Sequence, residues 1–334
     1  MSRAFPEIPD LAHELRQLLK QIPRGRVTTY GRLAEALGNR AAARWVAHHI
    51  YHQERDPACP TYRVIAATGE LGLCAAMTPH EKASRLEAEG VEVVDNRIDL
   101  QRFAFAEFQS QRPLEKLREV QESVASRVVL RAWHHTPELV GGVDVSYPAE
   151  NEAVAAYTLV DVASGGLVWS TTIRRPVIFP YIVTYLTFRE VPFYVELLQE
   201  VRAAGKLAEV LLVDGSGILH QRHVGSASHL GVVAGIPTVG VTKTLLVGQV
   251  DLEGMASGES RSVVQDGRAI GAALRPTGRS RRPIFISPGH LVDLPFSEGL
   301  VRRLLRGRRL PEPLYWADRL SRAAGKGQSG HALG

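Results

Sequence analysis

The spacing of apolar positions changes twice along the chain. Leu11, Leu15, Leu18, Leu19 and Ile22 fall at the three-to-four interval of a helix buried on one side, which Pro23-Arg24-Gly25 ends. The pattern predicts a second helix over residues 30–37, capped by Thr28 or Thr29, and a third over residues 41–52 after Gly38-Asn39. Two short helices about a tight glycine turn read as helix-turn-helix. Past Val94 the period is lost, and a boundary is expected near Ser110 to Pro113, dividing the chain into residues 1–109 and 110–334. A helix is expected over residues 114–133, with Leu117, Val120, Val124, Val128 and Leu130 inward. Strand patterns then take over at 138–147, 153–162 and 167–175, the last two joined by Ser164-Gly165-Gly166. A helix through Leu197, Leu198 and Val201, a strand at 210–213, a helix at 223–233, strands at 238–241 and 284–286 and a helical region from Glu298 complete the chain. Strands followed by alternating helix and strand predict a mixed α/β sheet with helices on its faces.

Composition narrows the setting. Of 334 residues, 45% are hydrophobic, which excludes wholesale disorder. Forty Lys and Arg against 35 Asp and Glu give a formal charge of +5, a balance that permits a polyanionic partner. Two cysteines, Cys59 and Cys74, make no disulfide framework and point to a reducing cytoplasm. The first residues, MSRAFPEIPDLAHELRQ, lack an apolar signal core, and no apolar run reaches membrane-spanning length. The expected protein is soluble and cytoplasmic. The tail GKGQSGHALG, from about 325, is expected to be disordered.

The candidate chemistry lies in the carboxylates. LLVDGSGILHQRH delivers Asp214 at the end of an apolar strand, beside Gly215, Gly217 and His220. An acid at a sheet rim next to glycines suits a metal or phosphate site, and also suits a plain turn. Asp144 in GGVDV puts a charge into an otherwise apolar strand, where a carboxylate needs a partner or a metal. Glu190 opens the helix after LTFR, and Asp318 lies in LPEPLYWADRL. Four acids from two strands and two helices are what two Mg²⁺ ions need to clamp a phosphodiester. Singly, Glu190 is an ordinary helix-start charge and Asp318 a solvated helix residue. The helix opening AAAR, at Ala41, offers small residues ahead of Arg44, a face that can approach a nucleic-acid groove.

The first hundred residues resemble a known family. IPRGRVTTYGRLAEALGN, AAARWV, PTYRVIAATGELG and KASRLEAEGV follow in order over most of residues 8 to 93. They resemble the DNA-binding domain of O6-alkylguanine-DNA alkyltransferases, with its winged-helix-like fold. The resemblance implies minor-groove binding with nucleotide flipping: Arg44 filling the gap left by the base, Tyr30 helping to rotate the nucleotide, and Thr61 and Arg63 at the lesion pocket. Where the family has its acceptor cysteine in Pro-Cys-His-Arg, this chain reads Pro60-Thr61-Tyr62-Arg63. A threonine hydroxyl ionises far less readily than a thiol, and Cys59 lies two positions too early to replace it. This half is therefore similar to the alkyltransferase-like proteins, which bind alkylated guanine without repairing it.

The remainder resembles endonuclease V, a nuclease of ribonuclease-H-like fold. GGVDVSY, FPYIVTYLTFRE, LLVDGSGILHQRHVGSASHLGV, PTVGVTKTLL, AIGAALRP, ISPGHLV and LPEPLYWADRL cover nearly all of residues 114 to 320 in the family's order. The resemblance implies Mg²⁺, or Mn²⁺, on Asp144, Glu190, Asp214 and Asp318, with Lys243 near the scissile phosphate. It makes Tyr181 a wedge at the lesion, and Gly215, Gly217 and His220 a base pocket. The family nicks DNA at the second phosphodiester 3′ of deaminated bases, above all hypoxanthine. Here Val183-Thr184 replaces the family's Pro-Gly after Pro-Tyr-Ile, and Gln221 replaces the proline after the pocket histidine. The preferred lesion is left open. His290 is expected to support a loop, and His223 and His229 to be structural.

The expected protein is a DNA-repair fusion acting on double-stranded DNA with damaged bases: an alkylguanine sensor without transferase activity, joined to a Mg²⁺-dependent nuclease and associated with the nucleoid. Two alternatives remain. One is a lesion-binding protein that recruits other repair factors, and the other a ribonuclease acting on inosine in RNA.

Overall fold

The computed structural model describes residues 5–52, 59–72, 77–278, 280 and 282–326. Cys74, Arg279, Arg281 and the last eight residues of the tail lie outside them. The chain divides into two compact units. One is Ile8–Glu119 with Phe179–Tyr185, and the other the described parts of Met1–Glu7, Val120–Ile178 and Leu186–Gly334. Among the described residues no helix is long and apolar enough to cross a membrane.

The first unit opens with α1 (Leu11–Lys20), whose N-terminus is capped by the Asp10 side chain. Strand β1 (Thr28–Thr29) runs parallel to β2 (Val64–Ile65). Helix α2 (Tyr30–Ala36) is capped by Thr29, which accepts from the Arg32 N–H. A 3₁₀ turn (Arg40–Ala42), capped by Asn39, then leads into α3 (Ala43–His52). The sequence pattern ran the 3₁₀ turn into the helix, because apolar spacing does not distinguish the two. Helix α4 (Pro79–Glu87) starts on a capping box between Thr78 and Glu81, and α5 (Leu100–Phe103) is one short turn. Val27, Ile65, Leu71, Leu86, Val91, Ile98 and Phe103 form the core between them. Within it the Lys82 ammonium is held by the carbonyls of Val64, at 2.7 Å, and Leu71.

Helix α6 (Pro113–Ala125) is shorter than its apolar pattern predicts. Beyond it Val128 and Val129 are β-branched, and the backbone finds other partners. Val129 N–H donates to His290 Nδ1 at 3.2 Å, and its carbonyl accepts from Leu291 N–H at 2.7 Å. An extended segment thereby satisfies groups that a helix would have satisfied internally.

The second unit is built on an eight-stranded mixed sheet. In chain order its strands are β3 (Leu139–Ala149), β4 (Glu152–Asp161), β5 (Leu167–Pro176), β6 (Val210–Asp214), β7 (Thr238–Thr242), β8 (Ser260–Gln265), β9 (Arg268–Leu274) and β10 (Ile284–His290). They stand in the order β5-β4-β3-β6-β7-β10-β9-β8, with β3, β6 and β7 parallel and the other pairs antiparallel. Strand β4 is buried from Ala153 to Val160 without the expected alternation, because apolar clusters lie on both faces of the sheet. Helices α7 (Leu186–Ala203) and α8 (Ser226–Ala234) pack on one face, α9 (Leu294–Leu304) and α10 (Glu312–Gly325) on the other. Strands β8 and β9, where the apolar pattern predicts no strand, extend one edge.

Two buried titratable groups make the folded state sensitive to acid. In the first unit Glu89 receives Arg63 at both oxygens, the Tyr62 hydroxyl at 2.6 Å and the Gly25 N–H at 3.3 Å. Burial pushes Glu89 up, but the bonds from Arg63 and Tyr62 outweigh it and hold the carboxyl below its ordinary value. Its contribution is present above the ordinary carboxylate range and lost as pH falls through that lowered value. Replacing Glu89 with Gln leaves a partly buried guanidinium short of its counter-charge. We expect a loss of about 2 kcal/mol, read by chemical denaturation of the full chain at neutral pH. In the second unit His229 is fully buried against Phe5 and Phe188, at ring distances of 5.2 and 5.8 Å, with neither ring nitrogen hydrogen-bonded among the described residues. Burial, then Arg127, lowers its pKa from 6.5 to about 3. Because the unfolded chain binds the proton first, His229 costs stability as pH falls from 6.5 toward 3. The His229→Phe variant should show a flatter decline in melting temperature across that window than the parent.

Candidate active site

Register does the first part of the assembly. Val143 of β3 lies opposite Val213 of the parallel β6, so the next residues, Asp144 and Asp214, are neighbours across the two strands. Both belong to the even-numbered set of their strands, with Val140, Val210 and Leu212, which faces the α9–α10 side. Strand β7 pairs Val241 with Asp214, and Lys243 follows two residues later.

Helix α10 brings the next acid. Its N-terminal end lies so close to β3 that a Cβ on Gly142 would stand 2.5 Å from the carbonyl carbon of Pro313. Thr158 Oγ1 donates to the Pro313 carbonyl at 2.8 Å and fixes that approach. Asp318 lies further along the same helix, receives Arg322 at 2.9 Å and stands 4.0 Å from the Lys243 ammonium. Glu190 comes from α7 on the other face, where Ser226 Oγ of α8 donates to it at 3.3 Å.

The electrostatics are those of crowded like charge. Asp144 and Glu190 are each only 8% exposed. Burial, then Asp214, pushes Asp144 well above the ordinary carboxylate range, with Lys243 opposing. Burial followed by Asp214 and Asp144 does the same to Glu190. Lys243 donates to Asp214 Oδ2 at 2.8 Å. Its own burial would lower its pKa, but Asp214, Asp144 and Asp318 raise it above the usual value. The buried Tyr194 hydroxyl has no hydrogen-bond partner among the described residues, and burial followed by Glu190, Asp144 and Asp214 raises its pKa.

Four carboxylates against one central ammonium leave an excess of negative charge, and the donors are all oxygen. That set fits a hard divalent cation by its chemistry. Among the described residues no three acid, histidine or cysteine side chains converge at metal-ligand spacing; Lys243 lies against Asp214 and Asp318, with Asp144 near enough to raise its pKa.

The loop after Asp214 is pinned on both sides. Gly215 N–H donates to the Val241 carbonyl at 3.1 Å, and Gly217 N–H to Ser287 Oγ at 2.8 Å. A Cβ on Gly217 would stand 2.0 Å from the Pro288 carbonyl oxygen, so only glycine fits. His220 is buried, and its Nδ1 accepts from Arg222 N–H at 3.2 Å.

The remaining sequence-derived residues lie in the first unit. Arg44 is exposed on α3, Tyr30 begins α2 and is partly buried, and Thr61 lies in a 3₁₀ turn (Thr61–Arg63). Arg63 points inward, held by Glu89 and by the Ile22 carbonyl at 2.7 Å. Tyr181 is 60% exposed on Phe179–Tyr185. Thr184, in the same stretch, has φ 70°, a left-handed conformation that costs a residue with a Cβ about 1–2 kcal/mol. Sequence reasoning did not find Ser226, Tyr194 or Arg322. Arg322 had a signal, since it stands four residues after Asp318 on one helix; the other two meet the site only through the packing of helices.

The comparisons with known proteins agree with this architecture. Residues 122–319 match the family model for endonuclease V, and residues 10–91 match that for the 6-O-methylguanine DNA methyltransferase DNA-binding domain. A bifunctional methyltransferase/endonuclease of Picrophilus torridus is 34% identical over 88% of this chain and 90% of its own length. An endonuclease V of Geotalea uraniireducens is 42% identical over 62% of this chain and 87% of its own. Among solved structures, Ciona intestinalis endonuclease V, in complex with DNA containing an inosine followed by a ribo-adenosine, matches with a TM-score of 0.59. It is 26% identical and covers 65% of this chain and 99% of its own.

If the carboxylates repel one another as their burial implies, Asp144→Asn should stabilise the metal-free protein by about 1–2 kcal/mol at neutral pH. A divalent cation should stabilise the parent by about 2.7 kcal/mol at a hundredfold excess over its Kd, and the variant by much less. Thermal melting with and without Mg²⁺ reads both.

Proposed function

Because this chain belongs to the endonuclease V family and carries an alkyltransferase-like DNA-binding domain ahead of the nuclease, we propose that it nicks DNA beside deaminated bases and senses alkylated guanine without repairing it. The observation that carries the reading is the group of mutually repelling acids, Asp144, Asp214 and Asp318 near Lys243, with Glu190 repelled by Asp214 and Asp144 from the other face. The family's nucleases depend on a divalent metal, and Mg²⁺ is the ion proposed here, with Mn²⁺ able to replace it. Held by these four acids, such a cation supplies Lewis-acid stabilisation of charge on the scissile phosphate.

The chain's own residues do the rest. The apolar residues around the buried acids lower the local dielectric, which strengthens every charge interaction with the reacting phosphate, while one water molecule serves as the nucleophile of the hydrolysis. The Lys243 ammonium, partly exposed, exchanges part of its bond to Asp214 for a phosphate oxygen and balances the charge that develops. Gly215, Gly217 and His220 form the wall against which a displaced base is read; their backbone is fixed by β7 and β10, so the pocket does not adapt to each base. Tyr181, exposed on its loop, takes the place vacated by the base. The inosine in the DNA bound to the Ciona relative supports hypoxanthine as the first lesion to test.

In the first unit Arg44 and Tyr30 are proposed to open the duplex at alkylated guanine. Thr61 offers a hydroxyl where transfer needs a thiolate, and the Tyr62 hydroxyl is engaged by Glu89, which supports a site without an acceptor at these two positions. Sharing one chain raises the effective concentration of each activity near the other's lesion.

The test is a duplex carrying one inosine, or one O6-methylguanine with a labelled methyl group, incubated with Mg²⁺. We expect a nick on the 3′ side of inosine, slowed about a hundredfold or more by Asp214→Asn, and no label on the protein. Tight binding without a nick in Mg²⁺ or Mn²⁺ would establish a recruiting protein instead, and faster cleavage of a matched RNA strand a ribonuclease. Label on the protein would overturn the reading of Thr61.

A further inference from the structure

The stretch Phe179–Tyr185 is carried by the nuclease sequence yet packs within the first compact unit. Its apolar side chains divide sharply. Phe179, Ile182 and Tyr185 are at most 1% exposed, whereas Tyr181 and Val183 are 60% and 46% exposed. Three anchors within seven residues hold two apolar side chains out into solvent. An exposed aromatic on a fixed loop is suited to stacking on an unpaired nucleobase.

The loop does not hold this shape by its own preference. Its turn closes through Tyr185 N–H to the Ile182 carbonyl at 3.0 Å, with Thr184 at φ 70°. Glycine adopts that conformation freely and a β-branched residue resists it, so the surroundings must impose it. They do so at Tyr185. Its hydroxyl donates to the Leu114 carbonyl at 3.0 Å and accepts from Asn39 Nδ2 at 2.8 Å. Both partners are themselves fixed. Asn39 Oδ1 caps the next turn by accepting from Ala41 N–H at 2.9 Å, and Leu114 N–H donates to the Leu37 carbonyl at 2.9 Å. Leu37, Asn39, Leu114 and Tyr185 all belong to the one unit.

We propose that Tyr185, clamped by Asn39 and the Leu114 carbonyl, is the positioning residue for Tyr181. The proposal rests on the reading of Tyr181 as the wedge given above. A side chain that enters a base stack works only if the loop behind it does not recoil, and a small loss of orientation there is amplified in rate. Here the clamp does what backbone preference does not.

The experiment uses the full chain and two substrates of one sequence: inosine in a duplex, which must be opened, and inosine in a single strand, which need not be. Tyr185→Phe keeps the buried ring and removes both hydroxyl bonds. It should lower kcat/KM on the duplex about tenfold and leave single-strand nicking unchanged. Thr184→Gly adopts φ 70° without a clamp, so the double variant Thr184→Gly/Tyr185→Phe should recover most of the duplex rate. An unchanged duplex rate in Tyr185→Phe, an equal loss on both substrates, or no recovery in the double variant would overturn the proposal. Tyr181→Ala separates the two readings. Duplex nicking as fast as the parent's would remove the wedge and this proposal together. A slow Tyr181→Ala beside an unimpaired Tyr185→Phe would remove the positioning role alone.

Discussion

Asp144 beside Asp214 on two parallel strands is a juxtaposition that nothing local favours. Both are acids, Asp144 is nearly buried, and Glu190 and Asp318 add to the same negative charge. What keeps them together is the sheet and the apolar clusters on its two faces, which fix the strands whatever the acids would prefer. The approach of α10 over Gly142 and the anchoring of α7 beside α8 are conditions of the same kind. Each places an acid by packing that lies away from the acid. The unit spends hydrophobic stabilisation to hold charge where solvent alone would disperse it, which is the expected relation between a rigid scaffold and a site for a cation.

Much of this was legible in the sequence because a charge in an apolar strand is conspicuous. GGVDV and LLVDG announce Asp144 and Asp214, and the strands around them were placed to within a residue or two. Glu190 and Asp318 are ordinary helix residues taken singly, and they gain weight only when counted with Asp144 and Asp214 and set beside the family resemblance. The rest was hidden for physical reasons. Val128 and Val129 continue a helical pattern but find their hydrogen bonds elsewhere, so α6 ends early. The hairpin of β8 and β9 has mixed polarity because it edges the sheet. The resemblance sets Arg63 at the lesion pocket, and its inward turn toward Glu89 depends on a partner 26 residues away.

The two halves handle polar groups in contrasting ways. In the first unit a buried carboxylate, Glu89, is fully occupied by Arg63, Tyr62 and a backbone N–H, and it organises a fold. In the second, buried carboxylates are left with less positive charge than they could use. A satisfied carboxylate stabilises a structure and an unsatisfied one recruits something to it. The contrast follows the expected roles, one half built to hold a shape against DNA and the other to gather charge around a phosphate.

The division of the chain carries a last implication. The backbone passes from one compact unit to the other after Glu7, Glu119, Ile178 and Tyr185. No single break, wherever it falls, releases two whole parts. A cut near residue 110 would strip Phe5 from the ring contacts it makes with Phe188 and His229, and would sever the Tyr185 loop from Asn39. During synthesis the first unit cannot be finished until the ribosome has passed Tyr185, well into the nuclease sequence. Each compact unit is therefore completed by segments from more than one part of the sequence, and the chain has no single point of division between them.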